Sequence, residues 1–595
     1  MRKTITTTLL WVTSCLFMYA QDSLKTTWLQ EVVTTGTKFD VPVEKSGKTI
    51  FKLTSKELSQ NAGKSLADLL NEVPGIQVDG NFGTPGTNVS YYVRGGRNRN
   101  TLILIDGVPL NDPSAINAEY DLRYIPVSQI ESIEVLKGGL STLYGTGAAA
   151  GVIDIRLKNP DNSPFKGSVD LSAASYHTFS QNLQVQGTTG KFSYLVMGNN
   201  TTSDGFSSAQ DNDPNSEFDK DGFSRQNGLL KLGCRFSTKF KLNGFGAYEK
   251  FNADYDDYEF TDAPNKQEYN QYRIGLNPVY QYKKGELQAK VVYNVNERIF
   301  KSSFPSEYQG KNLQTEVTAR HFFSNVLQGL VGLNYQHMAF DQKEAVSIDS
   351  AHIDMFDPYA SLLIDLPAGL NVHAGLRLNT HSIYGSKVVY NFNPSYLINN
   401  KGEWRYKLLG SVSSSYITPS LYQLYSVYGN KDLSPEEAVN YEAGISVYAK
   451  NKFTFNFVWF KRNETNPIDF VSLFDDEGNY IGGKYVNLTS KRVVKGVEIS
   501  MSYELNNKAS LSLNYTHNDT DKPESFYRIP KDKFGAVFTL HPLPNSTLSL
   551  KYNNTGKRTT FDFTSFSEVT LESYQLVDIF ASYGLLKKKL TLYGA

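Results

Sequence analysis

Residues 92–157 read YVRGGRNRNTLILIDGVPLNDPSAINAEYDLRYIPVSQIESIEVLKGGLSTLYGTGAAAGVIDIRL. Three short apolar strands are expected within this stretch, over 102–105, 133–136 and 153–157. Around them glycines crowd more densely than an ordinary surface needs, at Gly138, Gly139, Gly145, Gly147 and Gly151. More than four hundred residues of a different texture follow, in which apolar and polar residues alternate over short runs. A compact mixed domain ahead of a long antiparallel array is the organisation to be explained.

Outward from this stretch, the preceding segment supplies helices. Thr54 and Glu57 stand at capping-box spacing. Leu66, Leu69, Leu70 and Val73 then fall at i, i+3, i+4 and i+7, one apolar stripe ended by Pro74-Gly75. Residues 78–90 and 109–121 read as polar loops, so a mixed α/β domain is expected to about residue 159. Beyond Pro160 the period is two. Leu287, Val291 and Tyr293 alternate with Gln288, Lys290 and Asn294, and Leu548 and Leu550 with Ser549 and Lys551. Each such strand has one apolar and one polar face.

The chain has 595 residues, too many for one ordinary core, so several domains or one large barrel are expected. Lys+Arg and Asp+Glu are 60 each, which argues against a nucleic-acid partner. Aromatics reach 13% while mean hydropathy is −0.38. A transmembrane β-barrel has this profile, because lipid-facing residues alternate with polar lumenal ones; a soluble all-β protein shares it. Arg2 and Lys3 followed by an apolar core over 9–19 and a small residue, Ala20, read as a secretory signal over 1–20. Cys234 is then the one remaining cysteine, so no intramolecular disulfide forms. No later run is long and apolar enough for a transmembrane helix, so a membrane crossing would need a closed barrel. Loops alternate between short (506–508) and long (204–225), the asymmetry of outer-membrane barrels, and about 20 residues per strand and loop allows some twenty strands. A barrel that wide has a lumen to fill. The N-terminal domain is the obvious plug.

VRGGRNRNTLILIDGVPLND (93–112), IPVSQIESIEVLKGG (125–139) and STLYGTGAAAGVIDIRLK (141–158) resemble the plug of TonB-dependent outer-membrane receptors. The runs at 415–447 and 486–500 are similar to that family's later strands. The resemblance implies a 22-stranded barrel over 160–595 filled by a plug over 41–159, energised through TonB and its inner-membrane complex, in the outer membrane of a Gram-negative bacterium. Glu31, Val32, Val33, Thr34 and Thr35, an extended run with no partner strand nearby, match the region of the TonB box, within a periplasmic leader over 21–40. Such a run suits addition to another protein's sheet edge. Within the family the run YQLYSVYGN and LSPE is most like the cobalamin receptors, which implies a corrinoid cargo; iron-siderophore or haem import shares the architecture. A surface lipoprotein partner is compatible with either.

Strand parity identifies wall residues. Val439, Tyr441 and Ala443 face lipid, so Glu442 points into the lumen, and the same argument places Glu498 inside. Buried carboxylates need partners. The plug offers Arg94 and Lys137, the latter where the family usually has arginine. These four groups are expected to clamp plug to barrel. By resemblance the loops at 81–91 and 111–121 form the external apex, with Asn81, Phe82, Asn88, Ser90, Asn111, Asp112 and Asn117 as candidate ligand contacts. Amides and hydroxyls suit a large neutral, amide-rich ligand, although Arg97 and Arg99 flank the first loop. The acidic runs at 210–223 and 252–260 resemble the calcium loops of the cobalamin receptors, with Glu217, Asp219, Asp221, Asp254 and Asp256 as candidate ligands.

No catalytic cofactor is expected. The glycine run at 145–151 lacks the Gly-Lys-Ser/Thr ending of a phosphate loop. The eight His include no His-x-x-x-His pair, and no nucleophile elbow is present, so neither an enzyme nor a nucleotide-driven pump is indicated. A structural or adhesive barrel is the remaining alternative. The chain ends at Ala595 within an alternating run, and one or two further strands are expected beyond it.

Overall fold

The computed structural model describes residues 32–84, 89–209, 218–257, 261–343, 348–399, 403–450, 452–523, 526–562, 565 and 567–595. The expected signal segment, Glu31, Asn88 and Glu217 lie outside the described residues.

The three strands of the opening stretch form at Thr101–Ile105, Ile130–Lys137 and Gly151–Leu157. They belong to a five-stranded sheet in the order Ile50–Leu53, Ile130–Lys137, Gly151–Leu157, Thr101–Ile105, Val108–Pro109. Its central pair, Thr101–Ile105 with Gly151–Leu157, is parallel. Both strands are apolar and almost wholly buried, as parallel strands covered on both faces must be. Helix Ser55–Ser59 starts at the Thr54/Glu57 capping box. Helix Leu66–Asn71 has its own, from Ser65 and Asp68. Leu66, Leu69, Leu70 and Val73 are buried against Ile133, Val135, Ile153 and Ile155 of the sheet.

Two expectations for this domain change. Ser90 is not in a loop but opens the strand Ser90–Val93, which pairs with Ile76–Asp79 because Tyr91 and Val93 alternate inward into the core. Val32–Val33 is not free: it pairs antiparallel with Val41–Pro42, a contact only two residues long that no periodicity could announce.

The remaining chain forms one sheet of 21 antiparallel strands among the described residues, from Lys166–Ala174 to Leu590–Gly594, each paired with its successor in that sheet. Tyr593 on the last donates to Asp170 on the first at 3.2 Å, so the sheet comes round on itself. Leu548 and Leu550 are exposed on the outside while Ser549 and Lys551 are buried inside, as the alternation predicts. One rim carries tight turns such as 190–191 and 283–284. Long connections crown the other, including the hairpin of Ile468–Phe474 with Tyr480–Asn487 and the helix Leu421–Tyr425. Among the described residues no helix is long and apolar enough to cross a membrane.

The N-terminal domain fills the lumen. Its core continues into the wall, where Leu195, Met197, Leu229 and Phe251 join the same apolar cluster. Tyr124 stacks on the wall residue Tyr269 with ring centroids 3.6 Å apart.

Candidate functional site

Parity puts Glu442, on Glu436–Ala449, and Glu498, on Arg492–Asn506, inside the barrel, and the plug brings three cations to them. Arg94 donates from Nε and Nη2 to the two oxygens of Glu498 at 3.1 and 2.8 Å, and from Nη1 to Glu442 at 2.8 Å. Lys137 reaches Glu498 at 3.1 Å. Lys48 reaches the other oxygen of Glu442 at 2.6 Å. All five groups are at most 5% exposed. Lys48 was not expected: it lies near the start of the plug with no motif around it, and only the fold brings it here. Burial lowers both lysine ammoniums, opposed by Glu442 at Lys48 and by Glu498 at Lys137. Burial would lower Arg94 too, but Glu498 and Glu442 together hold it above its usual value. Arg94 has φ +47 and lies over the Phe460 ring at 4.6 Å, so its backbone and its packing are both fixed. Because Arg94 already occupies both Glu498 oxygens, the second cation needs only a point contact, which a lysine supplies.

The turn glycines serve this clamp. Gly75 (φ +73) and Gly138 (φ +82) lie so close to the wall that a Cβ on either would collide with Oε1 of Glu498 or Glu442 respectively. Gly138→Ala is therefore expected to lower the melting temperature of the purified protein, by about 1–3 kcal/mol of stability from the collision and the left-handed φ combined. An unchanged melting temperature would show that the glutamate can move aside.

The segment after Val32 is docked on the plug sheet. The backbone N–H groups of Thr34 and Thr35 donate to Glu134 Oε2 at 3.3 and 3.2 Å. Thr35 Oγ1 lies 2.7 Å from Glu134 Oε2 and 2.9 Å from Asp154 Oδ2, and Tyr144 OH donates to the Thr35 carbonyl at 2.8 Å. Glu134 and Asp154 are cross-strand partners, so this threonine bridges two neighbouring carboxylates. Val32 alone is exposed, and Lys52 holds its carbonyl at 2.8 Å.

Toward the rim of long connections, the two plug loops distribute the predicted ligand contacts unevenly. Phe82 is exposed and meets Tyr574 edge-on, whereas Asn81 donates to Asp68 at 3.1 Å. Asn111 donates to the Ala118 carbonyl at 3.0 Å. Asp112 is not open to the outside in this structure: it is buried, accepts from Ser114 within its own loop and pairs with wall residue Arg298 at 3.3 Å. Asn117 stays half-buried near Gln423. The exposed apolar tip is Ile116, which sequence reasoning missed because no period marks an isolated apolar residue in a loop. A partly open cavity of about 40 Å³ beneath, lined in part by Asn98, Arg99, Asn117 and Gln336, has room for a few waters and not for a macrocycle.

Three of the acidic candidates converge. Asp219, Asp221 and Asp256 each offer a carboxylate oxygen within 4.8 Å of the others. Asp221 Oδ1 is buried without a hydrogen-bond partner among the described residues. Burial and the nearby Asp262, Asp256 and Asp254 hold the Asp219 carboxyl above its usual range. Burial also opposes ionisation of Asp256, but donors from Ala209, Ala263, Ser207 and Ser208 hold it below. Asp254 does not join them. Phe251 and Ala253 point inward on the same strand, so parity turns Asp254 outward, where it pairs with Lys266 at 3.4 Å.

Comparison with known proteins settles what this assembly belongs to. The family model for "TonB dependent receptor-like, beta-barrel" matches residues 154–595, and that for "TonB-dependent Receptor Plug Domain" matches residues 42–152. The chain belongs to the TonB-dependent receptor family. Relatives of this receptor include the vitamin B12 transporter BtuB of Photobacterium profundum, 26% identical over 93% of this chain and 88% of that protein. BtuB of Vibrio cholerae is 25% identical over 93% and 89%. Among solved structures, the siderophore receptor PirA of Acinetobacter baumannii superposes with a TM-score of 0.75 at 19% identity, covering 91% of this chain and 93% of that one. A mutant of the ferric enterobactin receptor PfeA of Pseudomonas aeruginosa gives 0.77 at 18%, covering 94% and 93%. The receptor is an outer-membrane barrel of a family of transporters rather than of enzymes. Its long connections face the outside and its tight turns the periplasm.

Proposed function

We propose that this receptor imports a corrinoid, binding it at the external apex and releasing it through a TonB-driven plug movement. The observation that carries the reading is the charge state of the apex. Arg97 and Arg99, the cations that would draw an anionic siderophore, are both engaged: Arg97 pairs with Asp469 at 3.0 Å and Arg99 with Glu436 at 3.3 Å. Phe82, Asn111, Ile116 and Asn117 are left to face a ligand, and they suit an uncharged macrocycle with amide side arms. Full-length similarity to vitamin B12 transporters supports the same cargo. Radiolabelled cobalamin is expected to bind intact cells displaying the receptor; no binding alongside preserved iron-siderophore uptake would reject the corrinoid.

The reading includes a calcium ion at Asp219, Asp221 and Asp256. Oxygen donors of this number and charge, one of them an orphaned buried carboxylate oxygen, fit a hard cation that takes six to eight oxygens. Calcium at about a hundred times its Kd is expected to stabilise the receptor by about 2.7 kcal/mol in thermal denaturation. Asp221→Asn should remove that increment; equal stabilisation of both proteins would place the ion elsewhere.

A further inference from the structure

The wall contains a second polar feature away from the clamp, which meets the cavity beneath the apex at Gln336. On four successive strands, Asn265–Tyr282, Gly285–Lys301, Ser306–Phe322 and Leu327–Lys343, carboxamides recur among the lumenal side chains at mid-height, beside the ion pair of Arg273 with Glu249. Gln271, Asn294, Asn296, Asn312, Gln314 and Gln336 are all buried against the plug side. They are partly linked to one another: Gln271 donates to Asn296 at 2.6 Å and Gln336 to Asn312 at 3.1 Å. The linkage is incomplete. Among the described residues neither amide atom of Asn294 has a partner, nor have Gln271 Oε1, Asn296 Nδ2 and Gln314 Oε1. Leaving a buried amide group unpaired is costly, and a wall selected only for stability would carry apolar or fully paired side chains here.

The surroundings show which plug surface covers the belt. Above it, Arg298 pairs with Asp112. Below it, Lys290 donates to the Asp106 carbonyl at 2.9 Å, and Lys38 pairs with Glu316 at 2.5 Å. The covering surface is thus the plug edge from Asp106 to the apex loop, including the two-residue edge strand Val108–Pro109. Force enters on the same side. Lys38, four residues beyond the docked Thr34, is held by Glu316 and by Arg320 of this wall, so tension on the N-terminal segment is delivered to the foot of the belt. The clamp is elsewhere: in barrel order the belt uses the sixth to ninth strands and the clamp glutamates the fourteenth and sixteenth.

We infer that the cargo crosses the lumen between this carboxamide belt and the plug edge at 106–120, with the clamp side staying closed as the pivot. The belt is then a transit site for a neutral cargo bearing amides, its unpaired groups replacing hydration water as the cargo slides past; for the cargo's chemistry this rests on the corrinoid reading above. The charged side chain beside the belt, Arg273 opposite Asn294, is neutralised by Glu249, and the ion pairs at 112–298 and 38–316 close the path at both ends in the resting state.

Single cysteines test the path in the full receptor with Cys234→Ser. Asn294→Cys and Gln314→Cys report on the belt, and Ser415→Cys, a buried wall residue beside the clamp, reports on the other side. Intact cells growing in complex medium are labelled with a membrane-impermeant maleimide, with and without TonB, so the readout needs no knowledge of the cargo. Labelling at 294 and 314 is expected to rise about tenfold or more with TonB, as local opening exposes a buried thiol, and labelling at 415 to stay slow in both strains. Equal acceleration at 415, or no TonB dependence at 294 and 314, overturns the path. Cobalamin binding is measured separately on washed cells. A receptor that fails to bind cobalamin yet labels as expected rejects the corrinoid and keeps the path. Asn294→Leu adds a check on the belt's chemistry: uptake should fall with surface binding unchanged, while Asn294→Gln retains it. Unimpaired uptake by the leucine variant would remove the belt's binding role.

Discussion

A receptor carrying both Glu442→Gln and Glu498→Gln is expected to lose its grip on the plug, with uptake falling to background. The two carboxylates pair with three cationic side chains, Arg94, Lys48 and Lys137, none of them more than 2% exposed. Glutamine keeps the size of the side chain and one acceptor oxygen but removes the charge. Stranding one partner of a buried pair costs about 3–5 kcal/mol, and here two anions are removed from one cluster. The loss should exceed what hydrogen bonds to the remaining amides return, which is about 1 kcal/mol each. Protease digestion of the plug in isolated outer membranes would read the effect directly: the parent protected, the double variant cut. Either single variant should be milder, since Arg94 keeps one carboxylate and the displaced lysine is the flexible partner. A double variant with a protected plug and normal uptake would mean that apolar packing around Tyr124 and Phe251 retains the plug without the clamp.

The parts of this architecture that were legible in the sequence are those governed by local period. Alternation located the barrel strands, and its parity alone turned Glu442 and Glu498 inward. The capping-box spacing of Thr54 and Glu57 marked a helix start correctly. Applied to residues 251–254, the same parity would have excluded Asp254 from the acidic cluster. What local pattern could not supply are contacts created by folding a plug inside a barrel. Lys48 has no distinguishing neighbours, yet it completes the clamp. Asp112 looks like an available acid until Arg298, 186 positions later, claims it. The density of glycines in the opening stretch was legible, but that Gly138 makes room for one particular glutamate required the wall to be in place. The belt is a similar case: Asn and Gln at alternate positions look like ordinary polar lining, and only their burial without partners makes them informative.

Deleting residues 31–35 is expected to abolish uptake while leaving cargo binding at the cell surface intact, because among the described residues the segment's hydrogen bonds go to Lys52, Glu134, Tyr144 and Asp154 rather than to either apex loop. The deletion has a second consequence that has to be separated from the first. Glu134 and Asp154 face each other across adjacent strands and now share Thr35 as a partner; without it Glu134 keeps Lys52 at 3.4 Å, and Asp154 keeps Arg156 at 2.6 Å and the Gly107 N–H at 3.0 Å. A loosened plug sheet, rather than a missing handle for TonB, would then also stop transport. Thr35→Ala distinguishes them. It removes only the hydroxyl, at a cost of about 1–3 kcal/mol for the acceptors left unpaired, and keeps the backbone that another strand would add to. If the segment is the handle, Thr35→Ala should release it more readily, so that a purified TonB fragment binds the variant more tightly and uptake persists, whereas the deletion neither binds the fragment nor transports. If the segment is only a brace for the plug sheet, both variants should lose uptake in proportion to plug stability, with no gain in fragment binding by Thr35→Ala. The docked geometry favours the first outcome: Val32 is exposed and its pairing with Val41–Pro42 is only two residues long, so the edge to be grasped is open to a competing strand.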